Sequence, residues 1–193
     1  TEVNIPKPTK QFNDIDGHWA QNEINYMASI GMANGINDTQ FAPEETVNRA
    51  EFISMVARAD GLAEKEYAGS FSDVKAGDWF AGQVQAAWDE GMIPPEMVTD
   101  GKLQPNAPIT REEMCSVIVK TYELNKNKQI PTYGLERFTD QAEISDYAKP
   151  YVEKGLSLRL IKGVEENLFA PKDSATRAQA VVMVKRLFIQ IAD

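Results

Sequence analysis

One pattern of residues occurs three times in order along the chain. Each copy opens on Phe-x-Asp (Phe12 and Asp14, Phe71 and Asp73, Phe138 and Asp140). An aromatic residue follows at the head of a helical pattern (Trp19, Trp79, Tyr147). Next comes an aromatic or leucine before x-Pro (Phe41 and Pro43, Leu103 and Pro105, Phe169 and Pro171). A [T/N]-R-x-[E/Q] signature closes each copy: Asn48 to Glu51, Thr110 to Glu113, Thr176 to Gln179. Copies 1 and 3 align without a gap from Trp19 and Tyr147 at an offset of 128, with eight identities over 33 positions. Copy 2 carries two extra residues in its central loop. A period that fills the chain means one supersecondary unit used three times, so function must lie on three equivalent surfaces or in the seams between them.

The pattern divides the chain into a lead-in (1–11), repeat 1 (12–62), a linker (63–70), repeat 2 (71–124), a linker (125–137) and repeat 3 (138–193). A unit of about 50 residues buries too little surface to be comfortably stable alone, so the three are expected to pack as one domain. Within each, the apolar spacing predicts helix, long loop, helix. In repeat 1 the first helix runs from Trp19 through Ile24 and Met27 and stops at Gly31. Gly91 matches Gly31 in repeat 2, whereas Arg159 holds that place in repeat 3 and predicts a different stop. The second helices begin with capping boxes, in which the first side chain accepts an N–H and the acid or amide three residues on reaches back. Apolar runs follow directly (Phe52 to Ala57, Val117 to Val119, Val181 to Val184), making these helices the expected central core.

The net charge of −9 and pI near 4.7 argue against nucleic acid and anionic membrane surfaces, which need a basic footprint. No segment approaches the ~20 apolar residues of a membrane span, and none reads as a signal peptide. One cysteine and one histidine allow neither a disulfide nor a metal cluster, so no metal and no cofactor are expected. Cys115 lies in an apolar run and reads as a small buried residue. His18 occurs in one repeat only, without a nucleophile motif, and no acid pair stands out among 29 acids. Asn34 to Asp38 lacks the acidic pattern of a calcium loop. The chain is therefore read as non-catalytic.

The candidate chemistry is in the arginines. Arg49, Arg111 and Arg177 each stand first in a capped helix, where the helix dipole disfavours a cation by a few tenths to about 1 kcal/mol. An arginine beside free helix-start N–H groups is a receptor for a carboxylate or phosphate. The alternative is an ion pair with Asp14, Asp73 or Asp140 that ties loop to helix. Trp19 and Trp79 are either core anchors or apolar platforms for a sugar ring. Phe41 reads as a plug that seats the loop, and Gly35, repeated at Gly163, marks a positive φ or a close backbone approach.

These residues resemble the bacterial S-layer homology domain. Trp19-Ala20, the run Gly31 to Gly35, Phe41-Ala42-Pro43 and Asn48 to Glu51 carry the likeness, with near variants in the other copies, from residue 12 to about 188. The resemblance implies an all-α, pseudo-threefold, three-prong domain with a central helix bundle and grooves between adjacent repeats. It implies binding of a secondary cell-wall polysaccharide, often through a terminal pyruvylated N-acetylmannosamine, and attachment of an S-layer or other surface protein to the wall. By position Arg49, Arg111 and Arg177 would face the ketal carboxylate. Asp14 and Asp73 would contact sugar hydroxyls or the arginines, Trp19 and Trp79 would form the apolar wall, and Gly35 and Gly163 the close loop backbone. Glu112 beside Arg111, Pro94-Pro95 in the repeat 2 loop and Tyr147 in place of tryptophan depart from the pattern. The grooves are thus expected to differ, those using repeat 1 being most competent. A protein-interaction scaffold and direct peptidoglycan binding are the alternatives.

Overall fold

The computed structural model describes residues 12–126, 128–132 and 134–192, so the lead-in at 1–11 lies outside the described residues. Six α-helices form: α1 (Gln21–Ser29), α2 (Arg49–Ala59), α3 (Ala81–Asp89), α4 (Arg111–Asn125), α5 (Lys149–Ser157) and α6 (Arg177–Ala192). Three short 3-10 turns (Pro95–Met97, Leu135–Arg137, Gln141–Glu143) and isolated β-bridges occur beside them among the described residues, and the domain is all-α.

The capping boxes are present. Asn48 accepts from the Glu51 N–H at 2.8 Å while Glu51 accepts from the Asn48 N–H at 2.9 Å. Thr110 with Glu113, and Thr176 with Gln179, repeat the exchange. The helices so started, α2, α4 and α6, pack on one another at the centre and bury Ile53, Val56, Ile118, Val181 and Val184. Each first helix docks on the second helix of the preceding repeat: α3 on α2, α5 on α4, and α1 on α6. That last contact closes the chain into a ring.

Backbone hydrogen bonds seal the ring. Val47 N–H donates to Ala175 O (3.0 Å), Ala175 N–H to Ile109 O (3.3 Å) and Ile109 N–H to Val47 O (3.1 Å). The same strip of chain changes the expected chemistry of the helix starts. The N–H groups of Arg49, Arg111 and Arg177 donate to Ala107, Asp173 and Glu45, and those of Ala50, Glu112 and Ala178 to Pro105, Pro171 and Pro43. The next N–H is taken in repeat 1 by the Asn48 cap and likewise elsewhere. The helix starts are not open anion receptors, because the neighbouring repeat fills them.

Phe41, Leu103 and Phe169 are fully buried plugs. Each is seated by the aspartate of its repeat: Asp14 accepts from Phe41 (2.9 Å) and Ala42 (2.7 Å), Asp73 from Leu103 (3.0 Å) and Gln104 (2.7 Å), and Asp140 from Phe169 (3.0 Å) and Ala170 (2.6 Å). The clasp holds Ala42, Gln104 and Ala170 at φ of 59°, 55° and 56°, a conformation that L-residues adopt at a cost of roughly 1–2 kcal/mol.

The first helices all stop alike, which corrects the expectation for repeat 3. Gly31, Gly91 and Arg159 sit at φ of 77°, 77° and 57°. The hydrogen bonds from Arg159 to Leu156 and from Leu160 to Gly155 copy those at Gly31 and Gly91. Arginine is thus forced into the left-handed cap. Cys115 is buried against Gly155, where a Cβ would meet its Sγ at 2.7 Å, and burial pushes its thiol pKa far up. Trp88 packs edge-on against Phe71 at 5.1 Å between ring centres.

Candidate functional site

The three arginines of the repeated signature cross the seams. Arg177, at the start of α6, reaches into repeat 1: Nε donates to Phe41 O (2.9 Å), Nη2 to Asn34 O (2.7 Å) and Nη1 to Glu51 Oε1 (3.1 Å). Arg49 reaches into repeat 2, donating to Leu103 O (2.8 Å) and pairing with Glu113. Arg111 reaches into repeat 3, donating to Phe169 O (2.9 Å) and Lys162 O (2.7 Å). Gln179 holds the place of Glu51 and Glu113 there, so among the described residues Arg111 has no ion pair. Arg177 and Arg111 also stack over Phe41 and Phe169, at 4.8 and 5.4 Å from the ring centres. None of the three pairs directly with Asp14, Asp73 or Asp140, whose carboxylates seat the plugs.

Two matching grooves open above these arginines. The first, of about 240 Å³, holds Arg177 with Gly35, Glu51 and Arg58, and its wall is Trp79. The second, of about 280 Å³, holds Arg111 with Gly163, Gln179 and Arg186, and its wall is Trp19. Each therefore draws its arginine from one repeat, its loop from the next and its tryptophan from the third. Trp19 and Trp79 are 61% and 63% exposed, which places them at the surface rather than in the core. In the third seam Tyr147 takes the tryptophan's place, half-buried near Arg49; burial, then the charges of Glu113 and Glu112, pushes its phenol up.

Gly35 and Gly163 have negative φ, so close approach is the reason for glycine. A Cβ on Gly35 would lie 2.4 Å from Gln40 O and 2.6 Å from Asn37 O, and one on Gly163 would lie 2.5 Å from Glu165 O. Burial alone would raise the Asp14 carboxyl; the N–H groups of Phe41 and Ala42, with Arg177 behind them, outweigh it and hold the pKa below its ordinary value. Glu112, the departure beside Arg111, is buried and neutralised by Lys172, accepting also from Ser145 N–H (2.9 Å). His18 accepts the Ala20 N–H on Nδ1 (3.1 Å), leaving Nε2–H to donate to Glu44 (2.6 Å).

Two basic residues went unnoticed in the sequence although the repeat contains the signal. Arg58 and Arg186 stand nine residues beyond Arg49 and Arg177, and Lys120 holds that place in repeat 2. Each lines a groove opposite the signature arginine. Burial lowers the pKa of Arg58, Arg111 and Arg186, a desolvation that an incoming anion would offset. The Nε of Arg58 is buried with no hydrogen-bond partner.

The sequence is similar to those of known proteins. The chain is 41% identical over 181 residues to Exoglucanase XynX of Acetivibrio thermocellus, covering 93% of this chain and 16% of that protein. It is 40% identical over 176 residues to Amylopullulanase of Thermoanaerobacterium thermosulfurigenes, covering 91% of this chain and 9% of that protein. S-layer protein sap of Bacillus anthracis is 28% identical over 182 residues, which are 92% of this chain and 21% of that protein. The chain thus spans less than a fifth of either enzyme's length. A family model for the S-layer homology domain matches residues 11–53, 70–115 and 137–181, and the chain belongs to that family of bacterial cell-surface modules.

Proposed function

We propose that this domain is a non-catalytic anchor that holds a surface protein to the bacterial cell wall by binding an anionic saccharide, of the pyruvylated secondary-polymer class, in its grooves. The observation that carries the reading is an exposed indole standing over a buried guanidinium in two separate grooves. An indole face suits the apolar face of a sugar ring, and a desolvated arginine suits a carboxylate. The groove volumes sit just below the ~300 Å³ lower bound of ordinary ligand pockets, which fits one sugar unit per groove. In this reading Arg111 and Arg177 take the carboxylate and Trp19 and Trp79 take the ring. Gly35 and Gly163 let the loop backbone approach. Asp14 and Asp73 act indirectly, by seating the plugs whose carbonyls hold the arginines. Arg49 is engaged by Glu113 under Tyr147, and its seam is the weakest of the three.

The test is co-sedimentation of the purified chain with isolated wall sacculi, intact or stripped of secondary polymer by mild acid. Binding that disappears on stripping, and that falls in the Arg111→Gln and Trp19→Ala variants, is the expected result. Binding unchanged by stripping would move the ligand to peptidoglycan itself. Absence of binding to either would overturn the anchor and favour a protein partner in the grooves.

A further inference from the structure

The negative charge of the chain is not spread evenly. Repeat 1 carries eight acidic side chains against two basic ones and repeat 2 nine against four, whereas repeat 3 carries eight of each and is preceded by Arg137. Part of this basic complement gathers in one place. A cavity of about 570 Å³ is lined by Arg137, Arg159 and Lys162 together with Glu165 and Glu166. It shares Ile161, Lys162 and Gly163 with the Trp19 groove, so the two openings lie on either side of one loop. All three cations are exposed, and among the described residues none is in an ion pair; Arg137 rests on the Phe138 ring, 4.5 Å from its centre. Arg159 stands at φ 57° where the matching residues are Gly31 and Gly91. A strained side chain kept where glycine serves in the other two copies points to a use for that side chain.

We propose that the Arg137–Arg159–Lys162 cavity is a second anion subsite, continuous with the Trp19 groove, which takes the next negatively charged group along the same saccharide chain. The inference rests on the anchoring reading above. It makes the Trp19 groove the principal one: Arg111, Arg186 and Lys162 line it with no acid among its lining residues, while the Trp79 groove sets Glu51 against Arg177 and Arg58. Glu165 and Glu166 temper the cavity to one net positive charge, enough to add to a ligand already held and too little to hold one alone.

Sacculi bearing secondary polymer serve as the probe, with salt varied. Arg159→Gly should lower affinity about five-fold at low salt and flatten its salt dependence, as loss of one charge contact does. Arg159→Lys should restore most of the affinity, and Lys162→Gln should reproduce the loss. Lys75→Gln, on exposed surface of repeat 2, makes the same change in net charge and should alter affinity less than about two-fold. Equal behaviour of Arg159→Gly and Lys75→Gln would overturn the subsite while leaving the anchor standing. Absence of wild-type binding would overturn both.

Discussion

Replacing Glu51 by glutamine should turn the weaker groove into a strong one. Glu51 places Oε1 3.1 Å from Nη1 of Arg177, so a carboxylate arriving at that arginine meets a like charge about 5 Å away. Two unit charges at ~5 Å interact by roughly 1–3 kcal/mol between the limits of bulk water and a near-surface site. The Glu51 charge is already paired with Arg177 at 3.1 Å, which offsets part of the repulsion and leaves about 1.4 kcal/mol, or ten-fold in affinity. The fold tolerates the change, since Gln179 already performs the same capping exchange with Thr176 at 3.2 Å in both directions. Arg177 keeps its bonds to Phe41 O and Asn34 O. The indole N–H resonances of Trp79 and Trp19 report the two grooves separately. Titration with a monosaccharide bearing a pyruvate ketal should show the Trp79 response in Glu51→Gln tightening about ten-fold toward that of Trp19. The reciprocal Gln179→Glu should weaken the Trp19 response by a similar factor. Unchanged affinity at Trp79 in the first variant, with full occupancy reached, would refute the electrostatic ranking of the grooves.

Three further outcomes concern stability. Arg159→Gly relieves a left-handed arginine and should raise stability by up to about 1 kcal/mol, or about 2–4 °C in Tm, by calorimetry; a lower Tm would contradict the strain reading. Gly35→Ala drives a methyl group into two backbone oxygens at 2.4 and 2.6 Å and should destabilise by roughly 2–3 kcal/mol in urea unfolding, with Gly163→Ala similar. The depressed pKa of Asp14 stabilises the fold above the ordinary value of 3.8, and that contribution is lost as pH falls through the folded value. Asp14→Asn should therefore flatten the loss of stability on acidification below about pH 4, measured against wild type.

Local signals were readable in the sequence and relations across the ring were not. The capping boxes, the plug residues and the central helices depend on neighbours within a few residues or on apolar periodicity, and all appear where the pattern put them. The helix starts defeated sequence reasoning because their N–H groups are filled by carbonyls about 60 to 130 positions away, such as Ala107 for Arg49 and Glu45 for Arg177. The pairing of Trp19 with Arg111 and of Trp79 with Arg177 follows from the order in which the ring closes, which no single repeat encodes. Arg159 misled because the surrounding helix end dictates a left-handed residue whatever the side chain.

Closure of α1 on α6 makes the covalent starting point of the ring arbitrary. A chain begun at repeat 2 and finished with repeat 1 should build the same grooves once its ends are rejoined. Removing any one repeat, by contrast, takes a component from both open grooves at once, since each is assembled from all three. The module therefore cannot be graded by adding or trimming single copies. On the anchoring reading, binding is gained only with a complete set of three and is lost with any single copy.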